Sequence, residues 1–148
     1  MIRKLFFVLM GIFLLSACAS REGIEAHEAW VRNALQGENS AVYLILHNHT
    51  TGNDALIGVS ADVANAVELH ITEVTNDVMQ MRQAEIVEIL ANSEAEFKSG
   101  GFHIMLIGLK QDLNVGDEIT ITLHFENYQD VTLSVPVKES AEEHPSHP

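Results

Sequence analysis

His103 and Met105 stand one residue apart in the stretch GGFHIML, residues 100–106. Successive side chains of an extended strand point to opposite faces. Phe102, Ile104 and Leu106 therefore share one face, an ordinary core-facing set, and His103 and Met105 share the other. A similar arrangement occurs upstream. In VELHITEV the apolar Val67, Leu69 and Ile71 alternate inward and leave His70 outward with Glu68 and Thr72, and in VMQMR Met79 and Met81 share a face. The turn signal TND, residues 75–77, joins these two strands as a hairpin and brings His70 near the methionines.

Two histidines and two or three thioethers on faces directed away from the core make a soft donor set. A thioether carries no proton at any biological pH, and neutral imidazole binds copper well. Together they favour copper(I), which has no d-electron geometric preference and accepts low coordination numbers. Zinc prefers thiolate or carboxylate with imidazole, and calcium and magnesium want oxygen. A blue-copper centre needs a cysteine ligand, and Cys18, the only cysteine, lies at the end of the leader. A methionine in a strand is more often a gap-filler than a ligand. Here, however, Met79, Met81 and Met105 are all the methionines outside the leader, and they fall in one hairpin and one further strand that also carry two histidines.

The elements that must position these residues read as strand, turn, strand from Ile24 to about Glu139. AVYLILHN, ALIGVSA, AVELHITEV, VMQMRQAEIVEIL, FHIMLIGL, EITITLHFE and VTLSVPVKE are bounded by turn clusters such as TGND, SGG, VGD and NYQD. Short strands at this spacing, with no long helical period, predict an all-β antiparallel sandwich or barrel. DVANAV, residues 62–67, is the one place where a helical turn is expected.

The 148 residues suffice for one domain plus its leader. Arg3 and Lys4 precede an apolar run, Leu5–Leu15, too short to span a bilayer comfortably, and small residues follow. Residues 1–17 thus read as an export signal. LSAC, ending at Cys18, resembles a bacterial lipoprotein signal, in which that cysteine is lipidated. A cysteine without an intrachain partner fits lipidation better than a disulfide framework. Residues 18–23 would be a tether, 24–138 the β domain, and 139–148, ESAEEHPSHP, a disordered acidic tail. Without Arg3 and Lys4 the eight basic residues fall to six against 21 acidic ones, a net charge of −15. A chain so acidic is repelled by phosphate backbones, which excludes nucleic acid as a partner.

The spacing His70, ten residues, Met81, twenty-one residues, His103, one residue, Met105 resembles the signature of the PCu(A)C periplasmic copper chaperones. AWVR, AVYLILHN, VELH, VMQMR and GGFHIMLIGLKQDL are similar to that family in order and spacing, so the resemblance covers most of residues 24–138. It implies a cupredoxin-like Greek-key β-sandwich holding one copper(I) at an exposed site, with His70, Met81, His103 and Met105 as its ligands. It also implies delivery towards the copper A site of cytochrome c oxidase subunit II, or a relay with a Sco-type protein. Ile71, Asn76–Asp77 and Ser99 depart from the family's usual methionine, Asp-Gly turn and proline. Met79 is a possible auxiliary ligand. His144 and His147 in the tail could take copper(II), as His-rich tails of relatives are thought to do.

Other residues read as ordinary: Trp30 as core, and His27 and His124 as plain strand histidines. His47 and His49 share a strand face and could bind a metal, but Asn48–His49 reads as the start of a loop, which favours the ordinary reading for them too. No Ser-His-Asp set is recognisable. The expected function is that of a membrane-tethered, extracytoplasmic copper(I) metallochaperone and not an enzyme. A copper storage or resistance lipoprotein would use the same site, and a metal-free adhesion or scaffold module would use none.

Overall fold

The computed structural model describes residues 22–139. Cys18, the leader, His144, His147 and the rest of the tail lie outside them. Ten strands follow in order: β1 (Ile24–Arg32), β2 (Ser40–Asn48), β3 (Asp54–Ser60), β4 (Ala64–Thr75), β5 (Val78–Gln83), β6 (Val87–Ile89), β7 (Ser93–Phe97), β8 (Phe102–Leu109), β9 (Glu118–Phe125) and β10 (Val131–Lys138). No helix occurs among the described residues.

The strands form two faces of a sandwich. One is ordered β5-β4-β8-β7-β2-β1 and the other β10-β9-β3-β6, and a short pairing of β1 with β10 joins them. Alternation explains why both faces close on one core. Val42, Leu44 and Leu46 of β2, Ile104 and Leu106 of β8, and Ile121 and Leu123 of β9 are wholly or almost wholly buried. Their neighbours in sequence point out, as the pleat requires.

The sandwich agrees with the sequence reading, with particular differences. The β1–β10 and β7–β8 pairings are parallel, within an otherwise antiparallel set. DVANAV forms no helical turn, because from Ala64 onward it is already β4, paired through Ala64, Ala66 and Val67 with β8. VMQMRQAEIVEIL is two strands. The chain leaves the first sheet after Gln83 and enters the second as β6, with Ala84 buried at the crossing.

A β-bulge in β1 decides where Trp30 goes. His27 pairs with Ile45 but Trp30 with Tyr43, so three steps on β1 match two on β2, and Glu28 takes φ 52°. An extra residue shifts the parity of everything after it. Trp30 is thereby placed on the outer face, half-buried against Tyr43 with ring centroids 4.7 Å apart, and not in the core.

Candidate metal centre

Strand register assembles the site. On adjacent antiparallel strands, residues directly opposite share a face. His70 of β4 is opposite His103 of β8, Glu68 is opposite Met105, and Thr72 is opposite Met81 of β5. His70, His103, Met105 and Met81 thus lie on one face of the sheet, with Leu69, Ile104 and Leu106 beneath them in the core. The Thr75–Val78 hairpin that holds β5 in this register turns through Asn76 and Asp77, both left-handed, with φ 53° and 61°. Two consecutive positive φ values make a type I′ turn, and Asn and Asp tolerate that region where most residues do not.

The two rings are held in one pattern. His103 Nδ1 donates to the Gly101 carbonyl at 3.1 Å. A carbonyl can only accept, so in the neutral ring the bare nitrogen is Nε2, and it faces Met81 Sδ at 3.2 Å. His70 Nε2 donates to the Glu68 carboxylate at 2.8 Å. That leaves Nδ1 as the bare nitrogen of His70, and it is buried without a hydrogen-bond partner. The ring centroids are 5.8 Å apart. Histidines that bind metals almost always donate their other ring N–H to a carboxylate or a backbone carbonyl, and both kinds of partner are present here. A buried, unsatisfied nitrogen costs about 1–3 kcal/mol, and a metal bond would remove that cost.

His103 is not solvent-facing, as the alternation suggested, but only 6% exposed. It lies on the outer face, yet the Met81 side chain and the His70 ring cover it. The opening is at Met81, which is 56% exposed. Met105 is half-buried. Met79 lies opposite Val74, two pairs farther out along the ribbon, and is 69% exposed. In sequence Glu68 reads as solvated surface, as an outward carboxylate on a strand does; only its position two residues before His70 marks it as a partner for that ring.

A Ser-His-Asp triplet does exist. His124 Nδ1 is 2.8 Å from Asp130 and its Nε2 2.9 Å from Ser60 Oγ. Asp130 and Ser60 are both exposed, whereas a nucleophilic triad works with a buried aspartate beside an oxyanion hole. The contact ties β9 to β3 and its neighbouring loop.

A family model for LpqE-like lipoproteins matches residues 24–137. The chain belongs to that family. The LpqE-like match agrees with relatives in curated proteins: 33% identity over 119 residues to "Putative lipoprotein Lxx21020" of Leifsonia xyli, covering 80% of this chain and 71% of that one. It is also 33% identical over 115 residues to the uncharacterized protein RP573 of Rickettsia prowazekii, covering 74% of this chain and 64% of that protein. Among solved structures it is similar to the copper-bound PCuAC domain from PmoF2, with TM-score 0.66, 26% identity, and 78% and 92% of the two chains covered. The solution structure of CuI-DR1885 from Deinococcus radiodurans has the same fold, with TM-score 0.62 and 23% identity over 83% and 85% of the chains. The LpqE-like family is therefore of PCuAC type, its fold the cupredoxin-like sandwich, and PCuAC-type domains are copper-binding chaperones, not enzymes.

Proposed function

We propose that this protein is an exported, lipid-anchored carrier of copper(I). His70, Met81, His103 and Met105 hold the ion, and Cys18 carries the anchor. The reading rests most on one observation: two facing histidines, each with one ring N–H held by a protein oxygen, and the bare nitrogen of His103 against a thioether. The copper-bound PCuAC domain from PmoF2 and the copper(I) form of DR1885 support it as similar proteins that bind copper, and the lipoprotein name of a relative supports the anchor.

The same geometry favours transfer over storage. A structural metal site is closed, and a site that exchanges its ligand keeps an open position. Met81 is the exposed donor, so an acceptor's soft ligand would enter there, with copper passing on as Met81 and then Met105 let go. The acceptor we propose is the copper A site of cytochrome c oxidase subunit II, reached directly or through a Sco-type protein.

Anaerobic titration of the protein with copper(I) against a competing chelator tests the reading. One equivalent should be retained against the chelator, and the loaded protein should give up its copper to an apo copper A domain. Failure to retain that equivalent would defeat the carrier reading, and retention without transfer would defeat the delivery reading alone.

A further inference from the structure

A second group of donors lies at the other end of the same sheet face. Glu25 and His27 are two residues apart on β1 and point outward beside His47, which is opposite Glu25. His49 follows β2 directly, its backbone N–H bonded to the Gly23 carbonyl at 2.8 Å. This places its ring over the start of β1. The placement is firm. Asn48, fully buried, donates to the Gly52 and Ile89 carbonyls and accepts from Thr50. His47, held at Nδ1 by Glu94 at 3.1 Å, stacks on the His49 ring at 3.9 Å.

The separations suit a metal better than they suit hydrogen bonds. His27 Nε2 is 3.3 Å and His49 Nε2 3.7 Å from the same Glu25 oxygen, and the three donor atoms all lie within 4.8 Å of one another. Bonds of about 2.0–2.2 Å at tetrahedral angles put two donors about 3.4 Å apart. His49 Nε2 is buried and makes no hydrogen bond, although its neighbour across 3.7 Å is a carboxylate. The donor set is two imidazoles and one carboxylate, without sulfur. Such a set suits borderline divalent ions, not copper(I), and among these copper(II) is held most tightly. The position of His27, about a third exposed, leaves solvent access for an ion and a bound water.

We propose that Glu25, His27 and His49 form a second metal site, for a divalent first-row ion with copper(II) preferred. It is distinct from the His–Met centre. Met105 pairs with Ala41 and Glu25 with His47, six residues along β2 or about 20 Å at about 3.3 Å per residue. The site is independent of the copper(I) reading, since it shares no donor with it.

The test uses the full-length protein without a histidine tag, titrated with copper(II) against a competing chelator and followed by electron paramagnetic resonance. One copper(II) should bind with nitrogen hyperfine structure from imidazole. His49→Gln and His27→Gln should each weaken it at least tenfold. The Met81→Leu/Met105→Leu and His144→Gln/His147→Gln double variants should leave it within threefold. His27 is partly exposed, so its variant reads the site even if His49→Gln folds poorly, and metal-free melting curves check that. Absence of the copper(II) equivalent, a loss below tenfold in His27→Gln, or a loss beyond threefold in either double variant overturns the proposal.

Discussion

Glu68 offers the most direct test of how the His–Met centre works. Its carboxylate accepts the His70 Nε2 proton at 2.8 Å and so keeps Nδ1 bare. Glu68→Gln retains the length and most of the volume but loses the charge. An amide can also present its N–H₂ to the ring, which would favour the opposite tautomer and put the proton on Nδ1. Removing such an outer partner costs about 10–100-fold in metal affinity, or about 1.4–2.8 kcal/mol. Glu68 is about a third exposed, so solvent screens the lost charge and the lower end is expected, a fall of about tenfold. Folding stability should change by less than about 1 kcal/mol for the same reason. Chelator competition with copper(I) at neutral pH measures the affinity. Glu73→Gln is the control: Glu73 pairs with Arg82 on the reverse face of the same ribbon, at 3.1 Å. Affinity within threefold of the parent, or an equal loss in Glu73→Gln, would show that Glu68 does not set the state of His70.

Met105→Leu keeps shape and apolarity, so stability should change by less than about 1.5 kcal/mol while copper(I) affinity falls. Met79→Leu should weaken binding less than Met81→Leu, and equal losses in chelator competition would count against the assigned set. Cys18→Ser should release the protein from membranes, which fractionation reports; a variant that still sediments with membranes after processing speaks against lipidation. Asp77→Gly puts glycine where the I′ turn needs positive φ and should stabilise the ribbon by up to about 1 kcal/mol, read as slower amide exchange across β4 and β5.

The core was legible because its signal is local. In β2, β8 and β9 the period-2 alternation separates the core face from the outer face, and it held for Ile104, Leu106, Ile121 and Leu123. That His70, Met81, His103 and Met105 share one face was legible for the same reason, since each lies in a regular stretch of its strand. Irregular backbone hid the rest. The bulge at Glu28 carries no glycine or proline to announce it, and unbroken alternation from Ile24 would put Trp30 on the core face. The break between β5 and β6 passes through Ala84, Glu85 and Ile86, none of which is a turn former. His27 and His49 meet only because of the β1–β2 register, and separation along the chain conceals it.

The division of the His–Met centre between two kinds of strand bears on how it could release its cargo. β4 and β8 are interior to the sheet, and their other face is core: Leu69, Ile104 and Leu106 anchor the backbone that carries His70, His103 and Met105. β5 is an edge strand paired with β4 alone, and all six of its residues are exposed. Segments with few buried contacts open at a small fraction of the global unfolding cost. Movement of β5 away from β4 would therefore withdraw Met81 without moving the strands that carry the histidines or the core. The exposed Val74, Val78 and Met79 around it form an apolar tip of the kind that a docking protein can cover. A partner that bound this tip would bias the one ligand resting on a weak element, and the two imidazoles would remain fixed to receive the next ion.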